Sequence, residues 1–292
     1  MKIVRTFATS ANVGPGFDTL GICFDIYNEY EYSINNCYKL EGFKEYYNNP
    51  KNNLIIRSYE ETFKKYNKEL KYIYLKELVQ NIPTSRGLGS SASCIVCGVM
   101  IANDVLGNIM SKEEIFQLAS DIEGHPDNVA PLVFGGFTSS FKEDIYYKVD
   151  LNISENFKFM VCIPPVPLST KLARSVLPKK VEMKDAVYNI SHTVAMLKAL
   201  DTGDMKLLKI AKNDKLHEQF RYKLIENSEV VINYANNNNA VCLISGAGST
   251  LLLIGDKDIL PIKELNEWKF EKVNISKIGA YIYEKEWLFN SA

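Results

Sequence analysis

Apolar positions along the chain switch between the two-residue period of strands and the wider period of helices. Residues 2–7, 27–34, 75–82 and 136–141 read as strands. Residues 54–66, 91–105 and 112–123 read as helices, which makes the chain up to about residue 150 an α+β unit. The third helix carries its own punctuation. Ser111 and Glu114 form a capping box, Ile115, Leu118, Ala119 and Ile122 recur at helical spacing, and Gly124 stops the helix. A second half opens near residue 157 with F-K-F-M-V-C-I-P-P, a strand that its two prolines end. Residues 186–200, apolar at Val187, Ile190, Val194 and Leu197, predict a helix, and 207–216 predict another. The polar run 236–239 reads as a turn before a strand at 240–244, and S-G-A-G then turns the chain into a strand at 251–254. No internal repeat or disordered linker interrupts this order, so the expected units are residues 1–150 and 151–292.

The chemistry begins at residues 82–93, I-P-T-S-R-G-L-G-S-S-A-S, between a strand and a helix rich in small residues. Gly87 and Gly89 let the backbone turn sharply, and the first turn of the following helix offers unpaired N–H groups to an anion. No lysine follows the glycines, and the spacing is not that of a dinucleotide loop. Phosphate charge must then be met by helix N–H groups, a metal ion and residues elsewhere.

This loop resembles the central motif of the GHMP kinases. Two other segments resemble the homoserine kinases within that family: A-T-S-A-N-V-G-P-G-F-D from Ala8, and E-G-H-P-D-N-V-A-P from Glu123. S-G-A-G-S-T from Ser245 resembles the family's last motif. The resemblance implies the two-domain GHMP fold, an N-terminal domain like ribosomal protein S5 followed by one like an α/β plait. It implies ATP-dependent phosphorylation of the L-homoserine hydroxyl, with ATP and Mg²⁺ as cofactors. The nucleotide would be held by Pro83, Thr84, Ser85, Arg86, Gly87, Leu88, Gly89, Ser90, Ser91, Ala92 and Ser93, and the metal by a loop serine, Ser90 or Ser91 with Ser91 preferred, together with Glu123.

For the acceptor, the resemblance places Asn12, Asp18, His125 and Asn128 around the pocket, Asp18 on the ammonium and Asn12 on the hydroxyl. Arg174 and Arg221 would clamp the carboxylate, for which a guanidinium is suited by its two parallel donors. Asn12 and Asn128 are the catalytic candidates. Relatives place an aspartate base where this chain has Asn128; Asp127 is adjacent but receives no such role, and the hydroxyl proton would pass to phosphate. Residues 52–58 resemble the segment over the base, with Leu54 and Ile55 against the ring. Phe7 and Ser249 stand where the family has proline, which predicts looser local geometry without loss of a chemical group. Another small-alcohol kinase of this fold, such as a mevalonate-type enzyme, and a non-catalytic ligand sensor are the competing readings. Asn12 weighs against the first and the intact loop with Glu123 against the second.

Composition narrows the setting. The 292 residues are 46% hydrophobic with a formal net charge of −1, which predicts a packed core and no nucleic-acid partner. No secretory leader or run of eighteen apolar residues is present, so a cytoplasmic protein with no membrane partner is expected. A homodimer is expected as well. Six cysteines read as reduced, packed thiols; Cys94 and Cys97 form a C-x-x-C inside a helix with no second pair. Only five of the 34 basic residues are arginine, two of them Arg174 and Arg221. His125 looks the most buried of the three histidines, and His192 and His217 receive no role.

Overall fold

The computed structural model describes residues 1–284. Strands β1 (Lys2–Ala11), β2 (Leu20–Ile34), β3 (Lys39–Glu41) and β4 (Ile73–Gln80) are interrupted by helix α1 (Leu54–Lys65). Helices α2 (Ser90–Val105), α3 (Lys112–Glu123) and α4 (Val129–Phe134) then precede the hairpin β5 (Phe137–Lys142) and β6 (Tyr146–Leu151). Strand β7 (Lys158–Ile163) leads to α5 (Thr170–Ser175), α6 (Met183–Thr202), α7 (Met205–Ala211), α8 (Glu218–Arg221) and α9 (Ser228–Asn237). The chain finishes with β8 (Ala240–Ile244), β9 (Leu251–Gly255), β10 (Lys269–Val273) and β11 (Tyr281–Glu284).

Two sheets organise these elements. The first runs β11-β1-β2-β4-β3, with β5 and β6 added through β2; the second is the antiparallel set β10-β7-β9-β8. Strand β2 spans fifteen residues because its first part pairs β5 and its second part pairs β4, while β1 follows it along both. One apolar cluster joins the sheets: Ala8, Val13, Leu20, Ile22 and Leu88 pack with Val161, Met196, Leu243 and Leu252. The loop after β1 is therefore held from both sides by a continuous core.

Several expectations change. The strand expected at 27–34 begins at Leu20, and that expected at 75–82 ends at Gln80, because Asn28 Oδ1 accepts the N–H groups of Asn81 and Ile82 at 2.8 and 2.9 Å and turns the chain out of the sheet. The helix expected at 207–216 ends at Ala211; Asp214 instead accepts the N–H groups of Leu216, His217 and Glu218 and starts a separate turn. Helix α9 runs into the 236–239 segment as far as Asn237. Strand β11 pairs β1, so the expected 151–292 unit returns part of itself to the first sheet, and its residues 285–292 lie outside the described residues.

The largest reversal is in α6. Val187, Ile190 and Val194 are 56%, 66% and 65% exposed, while Asn189 is buried. Asn189 donates to Pro15 O and Asp214 Oδ1 and accepts the Lys215 N–H, so the inward face of this helix is used to tie loops. Phe7, at a family proline position, is buried against Tyr281 of β11, and Ser249 Oγ donates to Val166 O at 2.7 Å. Both side chains are thus engaged with neighbouring segments.

Candidate active site

A cleft of about 430 Å³ runs from the glycine loop to the two arginines. The loop's shape is imposed by its neighbours. Gly87 and Gly89 have φ of +75° and +67°; a Cβ on Gly87 would strike Ser245 O, and one on Gly89 would strike Thr9 Oγ1. Ser245 Oγ donates to Gly87 O, Thr250 N donates to Arg86 O, and Thr9 N donates to Leu88 O. The S-G-A-G segment and β1 thus brace the loop from opposite sides.

Ser93 N donates to Gly89 O at 2.9 Å, the first bond of α2. The N–H groups of Ser90, Ser91 and Ala92 consequently have no carbonyl within their own helix and mark its positive end. The eleven expected nucleotide residues separate at this point. Gly87, Gly89, Ser90 and Ser91 line the cleft with Thr84, Ser85 and Arg86. Leu88 is buried in the shared core, and Ser93 turns its hydroxyl to Thr6 Oγ1 at 2.7 Å, away from a ligand. Ala92 is buried, leaving its amide as the group it can offer; Pro83 has no N–H to give. Arg86 donates to the carbonyls of Pro164 and Pro165, which makes it a strut between the loop and β7.

Across from this helix end, Ser91 Oγ donates to Glu123 Oε2 at 2.7 Å. Burial raises the Glu123 carboxyl above its ordinary range, partly offset by the Ser91 hydroxyl. Among the described residues no group of three or more His, Cys, Asp or Glu side chains could hold a metal. Two hard oxygen donors beside a phosphate cradle nevertheless suit Mg²⁺, which keeps waters and phosphate oxygens for its other positions.

Beyond Glu123, His125 Nδ1 lies 3.1 Å from Asp127 Oδ1, an ion-pair contact not aligned as a hydrogen bond. The Asp127 carboxylate raises the His125 imidazole above its usual range despite its burial. Asp127 Oδ1 also accepts the N–H of Asn128, whose own Oδ1 accepts from Thr9 Oγ1 at 2.8 Å. Asn12 is left-handed at φ 57° and engaged at both ends, donating to Gly246 O and accepting the Asp18 N–H, each at 2.8 Å. Among the described residues its amide nitrogen makes one hydrogen bond, which leaves a second N–H to give.

The two arginines differ sharply. Arg174 makes a bidentate pair with Asp18 at 2.8 and 3.0 Å, both side chains about one-third exposed, so the expected ammonium and carboxylate partners hold one another. Arg221 is fully buried and bonded to neutral acceptors: Ala173 O, Gly246 O and His217 Nδ1, at 3.2 to 3.3 Å. Burial pushes its guanidinium down to about 10, with Arg174 adding repulsion. Both guanidinium carbons sit over the Phe17 ring, 5.7 and 5.1 Å from its centroid. His217, not His125, is the most buried histidine, at 0% exposure.

The far end of the cleft carries aromatic and aliphatic side chains and was only partly anticipated. Leu54 and Ile55 line it as expected positions, joined by Tyr30, Phe43, Tyr47, Glu77 and Cys94. Tyr30 and Phe43 stack with ring centroids 6.1 Å apart and 7° between planes. These aromatics come from β2 and the loop after β3, and no local spacing links them to the glycine loop.

Comparison with known proteins supports a family from this geometry. Residues 53–136 match the GHMP kinases N terminal domain, which covers α1 through α4 and hence the loop, Glu123 and Asn128. A homoserine kinase of Clostridium beijerinckii is 40% identical over 297 residues, covering 97% of this chain and 99% of that one. The chain belongs to the homoserine kinases of the GHMP family. The crystal structure of a homoserine kinase from Cytophaga hutchinsonii superposes with a TM-score of 0.83 at 25% identity, over 97% of each chain. A phosphomevalonate kinase of Streptococcus pneumoniae, solved with phosphomevalonate and AMPPNP, shares the fold with a TM-score of 0.70 at 15% identity. The two-domain α+β architecture and the kinase class follow from this membership.

Proposed function

We propose that this enzyme transfers the γ-phosphoryl group of ATP to the hydroxyl of L-homoserine, giving O-phospho-L-homoserine and ADP for threonine biosynthesis. One observation carries the reading: a buried guanidinium, Arg221, lines the same cleft as the helix-end phosphate cradle and, among the described residues, bonds neutral acceptors. A buried cation gains most from an anion that is desolvated with it, and the carboxylate of an amino acid supplies one. Mevalonate also bears a carboxylate; the ammonium of homoserine is what Asp18 discriminates, once Arg174 releases it.

Ser91 and Glu123 would hold Mg²⁺, which when bound supplies charge neutralisation at the nucleotide phosphates. The amides of Ser90, Ser91 and Ala92 hold the same phosphates from the helix end. Asn128 orients the acceptor hydroxyl, with its amide oxygen held by the Thr9 hydroxyl, and Asn12 lines the same cleft. Asp127 Oδ1 accepts the Asn128 N–H and lies against His125, and Asp127 is given no base role; the hydroxyl proton passes to the transferred phosphoryl group as the O–P bond forms and the bond to ADP breaks. The far end of the cleft, with Tyr30, Phe43, Leu54 and Ile55, takes the adenine ring.

A cytoplasmic setting belongs to this proposal and rests on the six cysteines, all free thiols. A homodimer belongs to the same proposal. Met183, Val187, Ile190 and Val194 recur on the exposed face of α6 at intervals of four, three and four, the seam spacing of a helix pair, and a second copy of α6 about a two-fold axis would cover it. The deciding experiment for the reaction is ADP release with L-homoserine, mevalonate, galactose and shikimate offered in parallel. Turnover confined to L-homoserine is expected; equal or faster turnover of mevalonate overturns the acceptor assignment.

A further inference from the structure

The turn D-K-L-H-E-Q-F-R places His217 one helical turn before Arg221, and its surroundings fix what each ring nitrogen does. Asp214 accepts the N–H groups of His217 and its two neighbours and receives Asn189 Nδ2, so the backbone beneath the ring is pinned. Phe17 stacks on the imidazole at 5.1 Å with 22° between planes. Nε2 lies 2.8 Å from Gly14 O, an acceptor with no proton to give, so Nε2 carries the hydrogen. Nδ1 therefore presents a lone pair, and Arg221 Nη1 points at it from 3.3 Å. Burial lowers the imidazole's affinity for a second proton, although Asp214 and Asp18 face it along with Arg221.

We propose that His217 is a positioning residue for acceptor binding, accepting from Arg221 through Nδ1 so that the guanidinium holds the angle at which it meets the acceptor carboxylate. Through Nε2 it ties that angle to the Gly14 backbone, and hence to the loop that carries Asn12 and Asp18. The ring touches no substrate. Two carbonyls hold the guanidinium at Nε and Nη1, and the Nδ1 contact adds a third constraint at Nη1. This inference rests on the carboxylate role of Arg221.

The test separates the two nitrogens. An asparagine side chain can place its oxygen near the Nδ1 position, whereas a glutamine reaches the Nε2 position. His217→Asn therefore keeps the acceptor for Arg221, and His217→Gln keeps the bond to Gly14 O while losing that acceptor. We expect His217→Gln to raise the KM for L-homoserine about tenfold, with kcat and the KM for ATP within about twofold of wild type, and His217→Asn to raise it no more than about threefold. With 3-aminopropan-1-ol, which lacks the carboxylate and is read as a substrate or as a competitive inhibitor, His217→Gln should match wild type. Thermal melting of both variants checks that they fold. Equal effects of the two variants, or the same loss with both acceptors, would show a packing role and overturn the proposal. So would an unchanged KM in His217→Gln where Arg221→Met raises it. An unchanged KM in Arg221→Met would instead remove the carboxylate reading on which the inference stands.

Discussion

Arg221→Met removes a buried charge while roughly keeping the volume and the unbranched stem, and the structure indicates what that should do. The guanidinium is fully buried, and among the described residues it bonds two carbonyls and an imidazole nitrogen. Holding a cation there with no carboxylate among the described residues bonded to it is costly: burial is the main cause of the drop to about 10, and Asp18, Asp214 and Asp127 offset only part of it. In the ligand-free protein, three hydrogen bonds are lost and one unfavourable burial is relieved, so stability should change by no more than about 1 kcal/mol in either direction. With L-homoserine the balance differs. A charge-assisted contact is worth about 1.5–3 kcal/mol, and a desolvated donor belongs at the upper end, so KM should rise by about 150-fold. Arg174 must first give up Asp18 and is one-third exposed, so Arg174→Ala should cost nearer the lower end, about tenfold. Initial-rate kinetics with both substrates varied, together with melting in the absence of ligand, measure each quantity. A large loss of stability with little change in KM would show that Arg221 is a structural residue and that the worked asymmetry is unsound.

Four further outcomes are expected. Glu123→Gln should lower kcat and shift the Mg²⁺ dependence to higher concentration with melting nearly unchanged; wild-type kcat at every Mg²⁺ concentration would refute the metal role. Asn128→Ala should lower kcat, while Asp127→Asn leaves the acid limb of the kcat–pH profile in place; loss of that limb with a fall of about 10² or more would make Asp127 a general base. Burial pushes Glu218 up to about 8 from the ordinary 4.5, so the folded state keeps a proton that the unfolded state has released; stability from this group falls as pH rises from about 4.5 to about 8 and then levels. Glu218→Gln, which can still accept from Ile244 N, should flatten the melting temperature across that window, and an unaltered pH slope would count against the burial effect. Ile190→Lys should leave activity per subunit intact and halve the mass in sedimentation; a monomeric wild type would dispose of the α6 interface.

What could be read from the sequence depended on how far apart the interacting residues lie. Helix α3 was legible to the residue because its cap, stripe and stop are all local: Ser111 accepts from Glu114 N, Glu114 reaches back to Ser111 N, and Gly124 is left-handed. In α6 the apolar spacing revealed the helix but not its facing, because Asn189 and Thr193 are drawn inward by Pro15 O, which no helical pattern encodes. The glycine loop and its pairing of Ser91 with Glu123 were accessible through motifs. The aromatic end of the cleft was not, since Tyr30 and Phe43 meet there only through the β2 and β3–β4 pairings. His217 had one usable signal, its position four residues before Arg221 in a short helical turn, where two side chains share a face. The pairing of Arg174 with Asp18 spans 156 residues and left no trace in either neighbourhood.

Strand β11 also bears on the order in which this protein can be made. Arg5 and Val4 sit against Tyr281 and Ile282, so the outer flank of β1 acquires its partner only after nearly every other element has left the ribosome. At typical rates of synthesis that interval is roughly 15–55 s. Throughout it, the strand that braces the nucleotide loop has an open row of amides and carbonyls, the kind of edge on which nascent chains stick to one another.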